Sequence, residues 1–244
     1  MLKVSGVSVK YQVTDERCAV SDIGFSLKAG ERVALIGANG AGKSTLLLAL
    51  CGIIEPQSGE ISICGTVMEK KTLNDLRKKT GMVFQNPDDQ LFMPSVYADI
   101  TFGPRNYGVP EETIKEKAHI VMRQLGISHL KERLSHKLSS GEKRLAVLAG
   151  ILIMEPSILL MDEPSSFLDP KARRRLIGIL DELPETMLIA THDLDFALDL
   201  CSRAVLLKEG RIYSDAPAGE ILRDAALLKE CGLELPLSLY RSTK

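Results

Sequence analysis

Gly37-Ala38-Asn39-Gly40-Ala41-Gly42-Lys43-Ser44-Thr45 stands directly after the apolar run Val33-Ala34-Leu35-Ile36 and directly before Leu46-Leu47-Leu48-Ala49-Leu50. The spacing G-x-x-x-x-G-K-[ST] belongs to loops whose backbone N–H groups cradle phosphates, with a lysine for the β- and γ-phosphates and a hydroxyl for Mg²⁺. The flanks agree with it. A short β-branched strand runs into the loop and a good helix former leaves it, so the helix N-terminus and its dipole face the bound anion. Asn39, Gly40, Ala41, Gly42, Lys43, Ser44 and Thr45 are therefore candidate nucleotide contacts, with Ser44 also a candidate Mg²⁺ ligand.

The rest of the chain is ordinary in composition. Its 244 residues are 45% hydrophobic and 26% charged, with a net charge of −1, enough for one large domain or two small ones. A near-neutral balance argues against a nucleic-acid binder that relies on bulk positive charge. The five cysteines, Cys18, Cys51, Cys64, Cys201 and Cys231, are widely spaced, with no C-x-x-C pair and no histidine at metal spacing; they read as small buried hydrophobes in a reducing compartment. No apolar stretch approaches the ~18–20 residues of a spanning helix and the N-terminus lacks a signal-peptide core, so any membrane role is expected to be peripheral.

Outward from the loop, Val4 to Val9 and Ile23 to Leu27 read as strands and predict an antiparallel lead-in. The helix after the loop is expected to stop at Gly52, and Ser58-Gly59-Glu60 to turn into a strand over Ile61 to Ile63; Met82-Val83-Phe84 is a further strand. From Ser95 to Glu155 no strand is expected, and Ile114, Ala118, Val121, Met122 and Leu125 fall at helical spacing. Strands return at Ile158–Met161, Met187–Ala190 and Ala204–Leu207, separated by helices over Pro170–Leu183 and Leu194–Cys201, with a tail helix over Gly219–Lys229. Continuous apolar strands alternating with helices predict an α/β fold with a mostly parallel sheet covered on both faces. The expected organisation is one domain, 1–244: a core of 1–86 and 156–210 that includes the antiparallel part, an inserted helical subdomain over 87–155, and a tail over 211–244.

Further segments carry chemistry. Leu159-Leu160-Met161 ends in Asp162 and Glu163, two carboxylates at the carboxyl end of a buried strand, where open α/β sheets bind ligands. Asp162 suits Mg²⁺, and Glu163 suits a base or polariser for an attacking water. The strand Met187–Ala190 ends in Thr191-His192-Asp193, which brings His192 within reach of a γ-phosphate, and Gln85 follows its own strand as an uncharged Mg²⁺ or water ligand. Tyr11, 26 residues before Gly37, is a candidate to stack on a purine. Leu138-Ser139-Ser140-Gly141-Glu142-Lys143 is a capping box, Ser139 at N-cap and Glu142 at N3; the same helix N-terminus has the makings of a second anion site. One nucleotide does not need two such sites in one chain.

Tyr11, residues 37–45, Gln85, Ser139 to Glu142, Asp162-Glu163, Ser166-Phe167-Leu168-Asp169 and His192, in that order, resemble the A-loop, Walker A, Q-loop, signature, Walker B, D-loop and H-loop of the ATP-binding cassette ATPases. The resemblance covers nearly the whole chain. It implies a RecA-like P-loop NTPase core, ATP and Mg²⁺ as ligands, and a head-to-tail dimer, expected to be a homodimer. In that dimer Ser139, Ser140, Gly141 and Glu142 of one subunit close over the ATP held by the other. It also implies Glu163, His192 and Gln85 as catalytic residues, Ser44, Gln85 and Asp162 around Mg²⁺, and Asp169 at the dimer interface. The usual signature is Leu-Ser-Gly-Gly-Gln, from which Ser140 and Glu142 depart.

Gln85-Asn86-Pro87-Asp88-Asp89-Gln90-Leu91-Phe92, Asp99 to Pro104, and the tail ending Gly232-Leu233-Glu234-Leu235-Pro236 are similar to the ATPases of energy-coupling factor importers, which take up cobalt, nickel, biotin and other vitamins. That implies a transmembrane coupling protein and a substrate-binding membrane subunit as partners, no nucleic acid, a place at the inner face of the cell membrane, and a tail that contributes to dimerisation. A soluble cassette ATPase of translation or DNA repair, and a P-loop kinase, are the competing readings.

Overall fold

Along the strand Arg32–Ile36 the side chains divide by parity. Val33 and Leu35 enter one hydrophobic cluster, Ala34 and Ile36 the other, and all four are fully buried. The same alternation runs through Ile158–Asp162, Thr186–Ala190 and Arg203–Lys208, because successive strand side chains point to opposite faces and here both faces are covered. This central sheet is the wall on which the candidate site is built.

The computed structural model describes residues 1–10 and 18–240. In chain order the elements are β1 (Leu2–Val9), β2 (Val20–Leu27), β3 (Arg32–Ile36), α1 (Lys43–Leu50), β4 (Ser58–Ile63), β5 (Thr66–Val67), α2 (Leu73–Lys79) and β6 (Thr80–Val83). Then come α3 (Val96–Asn106), α4 (Glu111–Gln124), α5 (Ser140–Leu152), β7 (Ile158–Asp162), α6 (Pro170–Glu182), β8 (Thr186–Ala190), α7 (Leu194–Leu200) and β9 (Arg203–Lys208). The chain closes with β10 (Arg211–Pro217), α8 (Ala218–Ile221), α9 (Ala225–Glu230) and α10 (Leu237–Tyr240).

One sheet has the order β10-β9-β3-β8-β7-β6, parallel except for the hairpin strand β10. The other, β2-β1-β4-β5, is antiparallel. The α1 helix packs between the two sheets, with Leu46, Leu47 and Leu50 fully buried in the cluster that includes β1 and β2. On the opposite face α3, α4 and α5 bury Ile100, Ala118, Val121, Met122 and Leu148 against one another and against the central sheet.

Three expectations change. Ser58-Gly59-Glu60 is strand rather than turn, because Ser58 and Glu60 already pair with Ser8 and Ser5 of β1. The tail helix is two helices, since the Asp224 carboxylate accepts from Leu227 N at 2.9 Å and starts α9 afresh. Of the five cysteines only Cys51, Cys201 and Cys231 are buried; Cys18 is half-buried, and Cys64 is exposed at the β4–β5 turn with φ 52°.

Candidate functional site

The carboxyl ends of β3, β7 and β8 lie side by side, with Leu35 and Asp162 both in register with Ala190. From these ends issue the loop 37–42, the Asp162-Glu163 pair and Thr191-His192, so the topology brings together three segments that are far apart in sequence. The loop requires glycine for steric reasons. A Cβ at Gly37 would meet Leu207 O at 2.5 Å, and one at Gly42, whose φ is 100°, would meet Ala19 O at 2.6 Å.

Lys43 is 7% exposed, and its Nζ donates to Gly37 O at 2.7 Å and Ala38 O at 3.2 Å, tying the loop into a ring. Burial lowers its pKa against the opposing pull of Glu163 and Asp162. Asp162 is 8% exposed, and burial raises its carboxyl pKa; the Ser44 hydrogen bond opposes this, Glu163 adds to it and Lys43 opposes it. Among the described residues its Oδ1 is buried without a hydrogen-bond partner. A buried carboxylate oxygen in need of a partner, on a carboxyl group hydrogen-bonded to the Ser44 hydroxyl, is a hard oxygen donor pair that fits Mg²⁺.

Glu163 sits at φ 46°, a left-handed conformation that costs a non-glycine residue about 1–3 kcal/mol and recurs at functional sites. Its N–H donates to Ala190 O at 2.8 Å. Its Oε2 accepts from Thr191 Oγ1 at 3.1 Å and His192 N at 3.2 Å, and its Oε1 lies 2.8 Å from His192 Nδ1. An imidazole that donates from Nδ1 keeps Nε2 for another partner, and the His192 side chain is 61% exposed. Asp193, next in sequence, forms a bidentate pair with Arg173 at 2.7 and 3.1 Å.

Gln85 is exposed just beyond β6 and lines, with His192, Ser165, Phe167 and the tail residues Leu233 to Ser238, a cleft of about 1000 Å³. Two residues with no role read from the sequence hold the backbone from Met82 to Gln85. Arg144, 2% exposed on α5, donates to Phe84 O at 2.7 Å and Gln85 O at 2.6 Å, and burial pushes its pKa down to about 10. The Gln90 amide donates to Met82 O at 2.9 Å and accepts from Phe84 N at 2.8 Å, as a neighbouring strand would. Gln90 lies in the stretch 85–92 quoted above, whereas Arg144 has no local signal, since it reads as one more charge near a helix start and acts 59 residues away.

The capping box at Ser139 is present: Ser139 Oγ accepts from Glu142 N at 3.3 Å, while Glu142 Oε2 accepts from Ser139 N at 2.8 Å and from Ser139 Oγ at 2.9 Å. Ser139, Gly141 and Glu142 face a cavity of about 180 Å³ lined also by Leu168, Asp169 and Ala172; among the described residues no member of the loop 37–45 lines it. Ser140 takes the first position of α5 and does not line this cavity. Asp169 caps α6, accepting from Lys171 N and Ala172 N, both at 2.8 Å. Asn39, Gly40 and Ala41 line a separate cavity with Lys208, Glu230 and Cys231. Ser44 and Thr45 lie in the first turn of α1. Tyr11 lies outside the described residues.

A family profile described as ABC transporter matches residues 20–166. A Gloeobacter violaceus protein, whose name assigns it to ABC transporter ATP-binding proteins, is 48% identical over 233 residues, 95% of this chain and 96% of its own length. The energy-coupling factor transporter ATP-binding protein EcfA of Methanothermobacter thermautotrophicus is 42% identical over 93% of this chain and 75% of its own. The structure of cbiO1 from Clostridium perfringens, part of the ABC transporter complex cbiONQ, is similar with a TM-score of 0.83 at 36% identity, covering 100% of this chain and 98% of that one.

Proposed function

The chain belongs to the ABC transporter family and is an ATPase of that family, and we propose that it powers import of a transition-metal ion, cobalt or nickel, or of a vitamin, as the nucleotide-binding subunit of an energy-coupling factor complex. The observation that carries the catalytic part is the convergence of Lys43, Asp162, Glu163 and His192 at the ends of three adjacent parallel strands. The named relatives EcfA and cbiO1 support the transport part.

In this reading the loop N–H groups and Lys43 bind the β- and γ-phosphates, with Ser44, Asp162 and Gln85 around Mg²⁺. The ion, when bound, supplies charge neutralisation between those phosphates. Glu163 polarises the attacking water, and His192 presents Nε2 to the γ-phosphate. The second phosphate-binding element, Ser139 to Glu142, serves a partner copy, so ATP closes a dimer; Asp169 lies at that interface. A transmembrane partner docks beside the Gln85 loop, where Phe92 and Phe102 are 64% and 39% exposed and stack edge to face at 4.9 Å. In this reading the subunit lies at the inner face of the membrane; no helix of the described residues is long and apolar enough to cross it.

Glu163→Gln is the direct test. Steady-state turnover is expected to fall at least ~100-fold with ATP binding kept and an ATP-dependent dimer accumulating in sedimentation. Normal turnover removes Glu163 from the chemistry. Uptake of labelled Co²⁺, Ni²⁺ or biotin by cells that carry the Glu163→Gln chain identifies the cargo, and unchanged uptake of all of them counts against these cargoes.

A further inference from the structure

We infer that Thr191 is a positioning residue for hydrolysis, its buried hydroxyl holding the Glu163 carboxylate in the orientation from which it addresses water. The inference rests on the reading of Glu163 given above. Thr191 follows β8 and has no solvent exposure. Its Oγ1 lies 3.0 Å from Asp193 N and 3.1 Å from Glu163 Oε2. A hydroxyl has one proton, and the Asp193 N–H is a donor; the Thr191 proton is therefore directed at Glu163. The direction of this hydrogen bond is set by the backbone, not by the solvent.

The acceptor side is rigid as well. Asp193 is held by Arg173 at 2.7 and 3.1 Å and accepts from Phe196 N at 2.8 Å, so the N–H that orients Thr191 has little room to move. Glu163 is gripped at its N–H by Ala190 and at Oε2 by Thr191, consecutive residues of one buried segment. His192 differs. Its ring is 61% exposed and can turn from Oε1 to another partner. When it does, Thr191 and the His192 N–H still fix the carboxylate, which is what preorganised catalysis needs.

The test uses the full chain and four variants: Thr191→Val, Thr191→Ser, Glu163→Gln and Thr191→Val combined with Glu163→Gln. ATPase kcat and KM are measured, with ATP affinity from fluorescence titration. Thr191→Val is expected to lower kcat about tenfold or more while KM and affinity stay within about twofold. Thr191→Ser, which keeps the hydroxyl, is expected to retain kcat within about twofold. The double variant is expected to be no slower than Glu163→Gln alone, because a residue acting through Glu163 has nothing left to act through. Full activity of Thr191→Val beside an inactive Glu163→Gln overturns the inference alone. So does an equal loss in the serine and valine variants, or a further loss in the double variant. A fully active Glu163→Gln overturns the inference together with the reading beneath it.

Discussion

At the start of α1 no side chain caps the backbone: Gly42 stands at the N-cap with φ 100°, and the first turn holds no acidic residue. At the start of α5, Ser139 and Glu142 close a reciprocal capping box, and the Glu142 carboxylate takes both the N–H and the hydroxyl of Ser139. Both ends carry the positive pole of a helix. Only the first lacks a side-chain cap. A helix end kept open for phosphate forgoes the ~1 kcal/mol that a side-chain cap contributes, whereas α5 keeps that stability and makes any phosphate compete with its own carboxylate. In the ATP-closed dimer proposed above, the two half-sites are thus unequal: one has no side-chain cap and the other is already capped.

Gly42→Ala is expected to break the contrast with the largest effect. A Cβ there lies 2.6 Å from Ala19 O in a left-handed conformation, so the loop must deform. ATP affinity is expected to fall more than about tenfold, read by fluorescence titration, and Tm to fall by several degrees for a strain of about 1–3 kcal/mol. Ser139→Ala comes next. Losing the cap is expected to cost about 1 kcal/mol, or ~2–4 °C in calorimetry for a chain of this size, while ATP affinity of the isolated subunit is unchanged. A fall in that affinity would mean the two helix ends are not independent.

Glu142→Gln gives the smallest change in stability, since the amide can still accept from Ser139, and it sharpens the comparison by removing the competing charge. ATP-dependent self-association, measured by sedimentation, is expected to tighten a few-fold. The pH dependence has a definite sign. The Ser139 N–H holds the Glu142 carboxyl below its ordinary value of 4.5; burial opposes this and the Ser139 hydroxyl adds to it. A depressed carboxylate contributes stability above its unfolded pKa and loses it as pH falls through the folded one. The Tm advantage of the parent over Glu142→Gln is therefore expected at about pH 7 and to vanish as the pH drops below 4.5.

Much of this was legible in the chain. The loop 37–45, the capping box and the carboxylates ending a buried strand are defined by residues within a few positions of one another, and the strands β3, β7 and β8 announced themselves as unbroken apolar runs. What was not legible had distant partners. Arg144 looks like one more charge near the start of a helix until α5 docks and its guanidinium meets the carbonyls of Phe84 and Gln85. Thr191 looks like the unremarked neighbour of a histidine until β8 lies beside β7. The tail differs from the sequence expectation for a local reason: Asp224, inside the helix expected over Gly219–Lys229, is the cap of α9.

By itself, then, the sequence determined which residue types stand at the ends of which elements, because turns, caps and strand parity are settled by neighbours along the chain. Tertiary structure decided where their atoms point. The proton of Thr191, the ring of His192 and the backbone of Gln85 take their directions from strands in register and a helix packed across them. Residues 28 or 59 positions apart are brought together by the packed core, not by the chain between them.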